Sequence, residues 1–319
     1  MDISLVIPLY NEAESLPELE AWIERVMKEN SFTYEIIFVD DGSTDGSWKV
    51  IEKLRQQNPN VKAIKFQRNY GKSAGLQVAF SAAKGDVVIT MDADLQDSPD
   101  EIPALRQMIE SDGYDLVSGW KKKRYDNTLT KNLPSKFYNW TTRQMSGIPL
   151  HDFNCGLKAY RNKVVKSIEI YGDMHRYIPV IAKWAGYKNI GEKVVEHRPR
   201  QYGVSKFGWD RFINGPLDLA SIMFVGKFGK RPMHFFGPVG LLLFAAGILI
   251  NIYLGIEKLT GQKIGNRPLL ILGVILLLGG LQLILFGIMA EILMRTYYES
   301  QSKKTYRVRS VITSNSRPS

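Results

Sequence analysis

Asp86-Val87-Val88-Ile89-Thr90-Met91-Asp92-Ala93-Asp94-Leu95-Gln96 is the stretch on which the fold turns. Its apolar, β-branched run predicts a buried strand, and two carboxylates one residue apart follow at that strand's C-terminal end. Ligands of open α/β sheets bind in the crevice beyond such ends. Asp92 and Asp94 are hard oxygen donors that suit Mg²⁺ or Mn²⁺, held partly by protein and partly by a substrate's phosphates. Acidic residues after strands are common, so the pair gains meaning only from its surroundings.

Upstream, the apolar pattern predicts strands over residues 3–8, 35–39 and 61–66, with 86–91 as the fourth. Helical periodicity falls between them: residues 15–28, with Leu16, Leu19, Trp22, Ile23 and Val26 on one face, then a segment through Trp48, Ile51 and Leu54, then one from about Ser73. Strands alternating with helices predict an α/β domain with a parallel sheet covered on both faces. Beyond a strand over 115–118 the alternation weakens, and helical stretches near 136–145 and 176–184 mix with shorter strands. Acids and amides recur at the strand ends: Asn11 and Glu12, Asp40 and Asp41, Asn69 to Lys72, Asp92 and Asp94. In one parallel sheet these converge on one crevice. Carboxylates there can accept from a nucleobase or ribose while the metal neutralises a diphosphate, which is a donor site for a nucleoside-diphosphate substrate.

Three other chemistries are set aside. No Gly-x-Gly-x-x-Gly follows the first strand, Gly71-Lys72-Ser73 lacks the first glycine of a P-loop, and the four histidines have no zinc spacing. Lone Cys155 excludes an intrachain disulfide and fits a buried small residue in a reducing compartment. The net charge of +10 is concentrated near the C-terminal third and in Lys121 to Arg124. Anionic lipid and phosphate are therefore expected partners, and nucleic acid is not.

The C-terminal third changes character. Residues 235–256 and 269–290 are apolar runs of about 22 residues, each enough for a membrane-spanning helix. Gly237, Gly240, Gly247, Gly273, Gly279 and Gly280 fit close helix packing in lipid. Residues 207–229 carry Trp209, Phe212, Leu217, Ile222, Phe224 and Phe228 among charges, and predict amphipathic helices in the membrane interface, broken at Gly215-Pro216. Basic residues flank both spans, with Lys258, Lys263 and Arg267 between them, so the expected orientation puts the N-terminal domain and the C-terminus in the cytosol. Glu291 is expected to pair with Arg295 one turn on. The expected organisation is a catalytic domain over 1–206, juxtamembrane helices over 207–230, two spans within 231–294 and a basic cytosolic tail over 295–319.

Val6-Ile7-Pro8-Leu9-Tyr10-Asn11-Glu12, Val39-Asp40-Asp41-Gly42-Ser43-Thr44-Asp45, Arg68-Asn69-Tyr70-Gly71-Lys72 and Met91-Asp92-Ala93-Asp94-Leu95-Gln96 together resemble the family 2 inverting glycosyltransferases of the GT-A fold. The resemblance covers roughly residues 1–210. It is nearest the polyprenyl-phosphate glycosyltransferases such as dolichol-phosphate mannosyltransferase and bactoprenol glucosyltransferase, and the two spans match the bactoprenol-type arrangement. It implies a nucleotide-contacting set of Pro8, Tyr10, Glu12, Asp40 and Asp41, with Lys72 beside the donor phosphates. It implies a metal and diphosphate set of Asp92, Asp94 and Gln96. Arg124, Lys131 and Ser135 resemble the group gripping the acceptor's phosphate, with Lys131 where relatives often carry Arg. Arg200, Ser205 and Lys206 resemble a loop closing over the donor phosphates. His151-Asp152-Phe153-Asn154-Cys155-Gly156-Leu157 resembles the segment of the family's proposed catalytic base, which makes Asp152 the matching residue.

What the resemblance implies is inverting transfer from a nucleotide sugar to a polyprenyl phosphate in the bacterial inner membrane. A UDP-hexose is favoured over a GDP-sugar, undecaprenyl phosphate is the expected acceptor, and relatives assemble through their spans as homo-oligomers. A phosphate monoester is already ionised near neutral pH, its second pKa being about 6, so Asp152 could orient the acceptor or the metal rather than take a proton. A hydroxyl-acceptor transferase making glycolipid or polysaccharide, and a non-catalytic nucleotide-sugar-binding membrane protein, are the alternatives. The Gln-x-x-Arg-Trp sequence of processive synthases does not occur.

Overall fold

The computed structural model describes residues 1–122, 133–199, 224, 228, 229, 231–261, 264 and 268–300, with side chains given from residue 138 in the second stretch. The chain separates into two compact units, Met1–Ala220 and Ser221–Ser319.

Among the described residues the first unit is a seven-stranded sheet between two helical layers. Its strands are β1 (Ile3–Leu9), β2 (Tyr34–Asp40), β3 (Val61–Lys65), β4 (Val87–Thr90), β5 (Leu116–Trp120), β6 (Lys158–Arg161) and β7 (Ile190–Val194), in the order β3-β2-β1-β4-β6-β5-β7. Its helices are α1 (Leu16–Glu29), α2 (Ser47–Gln57), α3 (Lys72–Ala82), α4 (Ile102–Glu110), α5 (Leu133–Ser146), α6 (Asn162–Val165) and α7 (Ile178–Trp184). The central strands are buried on both faces, and alternate residues serve separate cores. Ile3, Leu5, Ile7, Ile36 and Phe38 pack with α1, α2 and α4, whereas Val6, Ile37, Val39 and Val88 pack with α3, α6 and α7. Near-continuous apolar runs in the sequence are the signature of such doubly covered strands.

The order reverses at β1, with β2 on one side and β4 on the other, so the crevice opens where β1 and β4 end. Pro8 helps make it. The Val6 carbonyl accepts from the Met91 N–H at 3.1 Å, and the next β1 residue facing β4 is Pro8, which has no N–H to extend the ladder. The chain after Thr90 is thereby released into the Asp92–Asp94 loop.

The strands of the alternating stretch, β1 to β4, pair in parallel as expected, and beyond them, where the alternation weakens, the sheet becomes mixed. β6 runs antiparallel to both β4 and β5, with Thr90 opposite Lys158. An antiparallel strand brings its beginning, not its end, to the crevice. This is why the segment from Asp152 to Lys158 lies beside the loop after β4.

The second unit contains α8 (Met233–Leu259) and α9 (Pro268–Ser300). At about 1.5 Å per residue both exceed the roughly 30 Å of a hydrocarbon core, and both are apolar enough to cross a membrane. Their packing is glycine-mediated. A Cβ on Gly240 would lie 2.8 Å from the Gly280 carbonyl, and one on Gly247 would lie 2.5 Å from the Leu277 nitrogen. Gly279, expected in the same role, faces open space instead, because its neighbour Gly280 takes the contact. Glu291 accepts from the Met233 N–H at 3.4 Å, at the start of α8. Of the expected interfacial segment only Phe224, Phe228 and Gly229 are described, and the two phenylalanines join a ring cluster with Phe235 and Phe236. The tail after residue 300 lies outside the described residues.

Candidate active site

At the end of β1, Asn11 adopts a left-handed backbone (φ 54°), which asparagine tolerates well. From there it clasps the loop after β2: its N–H donates to Ser43 Oγ at 2.9 Å and its Oδ1 accepts from the Thr44 N–H at 2.8 Å. Tyr10 and Glu12 flank it, half-buried. Asp40 is fully buried. Its Oδ1 accepts from the Ser43 N–H at 2.8 Å, while its Oδ2 has no hydrogen-bond partner among the described residues. Such an atom awaits a donor from a ligand, since an unsatisfied buried acceptor is costly.

Asp41 has a different job. Both its oxygens accept backbone N–H groups, from Tyr70 at 2.7 Å and Gly71 at 2.9 Å. Beneath them the Arg68–Asn69 backbone crosses Gly42 so closely that a Cβ there would lie 2.5 Å from the Arg68 carbonyl carbon. The Asp-Asp-Gly turn thus fixes the loop leading into α3, and α3 begins with Lys72, whose ammonium pairs with the Asp92 carboxylate.

Asp92 is the centre of the arrangement. Burial by itself would raise its pKa, but the Lys72 and Lys121 ammonium groups more than offset this and hold it at about 2. It is therefore a carboxylate at any physiological pH. Gly156 makes room for it: a Cβ at Gly156 would lie 2.5 Å from Asp92 Oδ2. Asp94 is 8% exposed, and its Oδ1 accepts from the Gln96 N–H at 3.2 Å. Leu95 between them has φ 60°, an unfavourable conformation for leucine that the loop imposes. Asp97 is buried and pairs with Lys121 at 2.7 Å. Burial opposes the charge on Lys121, but Asp97, Cys155 and Asp92 outweigh it and raise the lysine pKa. The Arg198 N–H donates to the Gln96 carbonyl at 2.9 Å, so the chain leaving β7 runs along this loop.

Lys72 and Asp92 border a cleft open to solvent, with Pro8, Asn154, Lys158 and Arg176 also in its walls; the expected site residues Tyr10, Glu12, Asp40, Asp41, Asp94 and Gln96 are not among its lining. Asp152 is not in the wall. It is 1% exposed, and its Oδ1 accepts from the Asn154 N–H at 3.1 Å. Its N–H and that of His151 donate to Glu192, which also pairs with the His151 ring, itself stacked on Trp120 at 4.2 Å. Asp152 thus shapes the turn that presents Asn154 to Gly156. Burial pushes the Cys155 thiol up to about 12, which keeps it inert. Arg124, Lys131, Arg200, Ser205 and Lys206 lie outside the described residues, as does the side chain of Ser135 in α5.

Three cleft residues had no place among the sequence candidates. Lys158 is 3% exposed at the head of β6, with its ammonium donating to the Cys155 carbonyl. His175 and Arg176 come from the 3₁₀ turn Met174–Tyr177. A lysine opening the four-residue strand Lys158–Arg161, which also closes on a cation, was the only sequence signal for Lys158.

A divalent cation fits this donor set. Among the described residues no group of three or more His, Cys, Asp or Glu side chains could hold a metal by itself. Mg²⁺ normally takes one or two carboxylates and completes its shell with water and substrate phosphates. The Lys72 ammonium beside Asp92 marks this carboxylate as one that accepts a cation.

Comparison with known proteins agrees with this geometry. Residues 4–169 match the family described as Glycosyl transferase family 2. The chain is 39% identical over 314 residues to a dodecaprenyl-phosphate galacturonate synthase of Rhizobium johnstonii, covering 98% of this chain and 93% of that one. It is 33% identical over 313 residues to an undecaprenyl-phosphate 4-deoxy-4-formamido-L-arabinose transferase of Pseudomonas fluorescens, covering 97% and 89%. Among solved structures, glucosyl-3-phosphoglycerate synthase from Mycobacterium tuberculosis, in complex with Mn²⁺, UDP and glucosyl-3-phosphoglycerate, superposes with a TM-score of 0.53 at 17% identity, over 70% of this chain and 79% of that one. Mannosyl-3-phosphoglycerate synthase from Rubrobacter xylanophilus gives a TM-score of 0.57 at 16% identity, over 70% and 74%. These two likenesses establish the fold.

Proposed function

The chain belongs to glycosyl transferase family 2, and from that membership we propose that it moves a sugar from a nucleoside diphosphate to a membrane polyprenyl phosphate, inverting the anomeric carbon. The observation that carries this reading is the ionised Asp92 at the sheet's switch point, in a cleft walled by Lys72, Lys158 and Arg176. Two relatives that align along nearly the whole chain, spans included, carry polyprenyl-phosphate transfer in their names.

In this reading Pro8, Tyr10, Glu12 and Asp40 face the nucleotide, with the unpaired Asp40 Oδ2 suited to a base N–H. Asp41 acts one step removed, by fixing the loop that delivers Lys72. Asp92 and Asp94, with Gln96 beside them, would hold Mg²⁺ or Mn²⁺, which when bound stabilises charge on the departing diphosphate. Lys72, reaching the same place from α3, supplies positive charge from the protein itself. Arg124, Lys131 and Ser135 are assigned to the acceptor phosphate, and Arg200 and Lys206 to the loop over the donor. The acceptor oxygen is an ionised phosphate, so no strong base is required, and the burial of Asp152 suits a residue that orients the Asn154–Gly156 wall. The catalytic domain takes residues 1–206, and both it and the C-terminus face the cytosol.

The test uses purified full-length protein in lipid nanodiscs, a panel of labelled UDP- and GDP-sugars and a short polyprenyl phosphate. Label should pass into the lipid extract with the phosphate, but not with the free polyprenol or diacylglycerol. EDTA should stop transfer, and Mg²⁺ or Mn²⁺ should restore it. Efficient transfer to a hydroxyl acceptor would overturn the assignment.

A further inference from the structure

The cleft carries more positive charge than its own acid balances. Asp92 is the one acid among its described lining residues, and Lys72 is already paired with it. Lys158 and Arg176 add two further cations. Lys158 is buried and spends a proton on the Cys155 carbonyl. Arg176 is half-buried and has no hydrogen bond or ion pair with any described residue. It reaches the cleft from the turn ahead of α7, not from the strand ends that face the nucleotide.

That turn is firmly held. The His175 N–H donates to Ser73 Oγ at 3.0 Å, and the same oxygen lies 3.1 Å from His175 Nδ1. Both contacts converge on the one hydroxyl and lock the ring and the backbone of His175 against the start of α3. Burial, with the Lys72 and Arg176 charges, holds the His175 pKa well below its ordinary value, so the imidazole is neutral and Arg176 beside it brings the unmatched charge. A neutral sugar would leave that guanidinium half-desolvated and without a counter-charge, which is unfavourable. A carboxylate matches its planar fork with two charge-assisted hydrogen bonds.

We propose that this cleft takes a nucleoside-diphosphate sugar bearing a ring carboxylate, a uronic acid, and that Arg176 reads that carboxylate. The proposal rests on the glycosyl-transfer reading above and narrows its donor class.

The experiment compares UDP-galacturonate and UDP-glucuronate with UDP-galactose and UDP-glucose, using full-length wild type, Arg176→Gln and Arg176→Lys. Both kcat/KM for lipid transfer and equilibrium binding without acceptor are measured. Wild type should favour a uronate over its neutral partner by tenfold or more. Arg176→Gln should cut uronate use about 10- to 100-fold, the range for a lost hydrogen bond to a charged group, and should cut use of the neutral donors at least tenfold less than that. Arg176→Lys should recover part of the preference. An equal loss for both donor classes would assign Arg176 to the diphosphate, and a rise confined to the acceptor KM would assign it to the acceptor phosphate; either overturns the proposal. Wild-type binding that does not distinguish uronate from neutral sugar also overturns it, whether or not transfer is seen. Selective uronate binding without transfer to polyprenyl phosphate would instead uphold it and locate the error in the acceptor.

Discussion

Gly156→Ala offers a severe test, because one methyl group separates the site's geometry from the fold's stability. The new Cβ would lie 2.5 Å from Asp92 Oδ2, 2.7 Å from Cγ and 2.9 Å from Oδ1, whereas ordinary contact begins at 3.4 Å. The colliding atoms are the far end of a side chain beside an open cleft, so the carboxylate can move, by about 0.9 Å, without disturbing the sheet. The Lys72 ion pair moves with it. Melting temperature should change little, because a partly exposed pair contributes at most about 1 kcal/mol. Transfer should fall about 100-fold, the loss typical of a 1 Å misplacement of reacting groups. The contrast is Gly119→Ala, whose Cβ would meet Cys155 Sγ at 2.9 Å and the Leu157 carbonyl at 3.0 Å inside the core; that change should lower stability by about 1–3 kcal/mol through overpacking. The assay is label transfer into lipid alongside thermal unfolding of the same preparations. Full turnover by a well-folded Gly156→Ala protein would refute the claim that Asp92 works from its place against Gly156.

Three further outcomes are expected. Lys158→Met should leave the melting temperature unchanged or higher, since burial depresses the lysine pKa and its charged form is a cost to the fold below that pKa, yet it should reduce transfer at least tenfold; unchanged turnover would remove Lys158 from the site. Glu35 is buried under Ser4 Oγ at 2.5 Å, the Lys84 N–H at 2.7 Å and the Lys62 ammonium, which outweigh burial and hold its pKa below the ordinary 4.5. Its stabilisation is thus complete above the unfolded value and lost as pH falls through the folded one, so Glu35→Gln should cost about 2 kcal/mol at pH 7 and flatten the acid limb of the stability profile; superimposable limbs would count against it. Gly280→Val should part α8 from α9, because its Cβ would lie 2.3 Å from the Phe244 nitrogen, whereas Gly279→Val next to it faces open space and should be silent in a detergent-unfolding assay.

Much of the architecture was legible because doubly covered strands and the helices between them leave unmistakable apolar periods. The first four strands appear within a residue or so of their expected ends. The reversed direction of β6 was not legible. Four residues, Lys158–Arg161, carry no mark of direction, which depends on where the intervening chain re-enters the sheet. That single reversal also explains why the acids at strand ends were foreseen and Lys158 was not.

The candidate residues divide along the same line. Asp40, Asp41 and Asp92 follow strand ends, so their convergence follows from topology alone. What each then does depends on neighbours that linear order does not reveal. Asp40 keeps a buried oxygen unpaired, whereas Asp41, one residue on and chemically identical, gives both oxygens to the loop before α3. The helical stretch expected over 176–184 begins at Arg176, but the α-helix begins at Ile178, and nothing in the pattern marked His175 or Arg176 for the cleft. Ser73 holds them at the cleft by meeting both the backbone and the ring of His175, across more than a hundred residues. If Arg176 reads the sugar as proposed, donor specificity resides where sequence pattern is weakest. On that proposal the strand ends meet what all nucleoside-diphosphate donors share, and the turn before α7 meets what differs between their sugars. Exchanging Met174–Tyr177 between relatives that use charged and uncharged sugars should thus shift donor preference without altering metal dependence, and a preference that stays with the strand-end motifs would refute this division of labour.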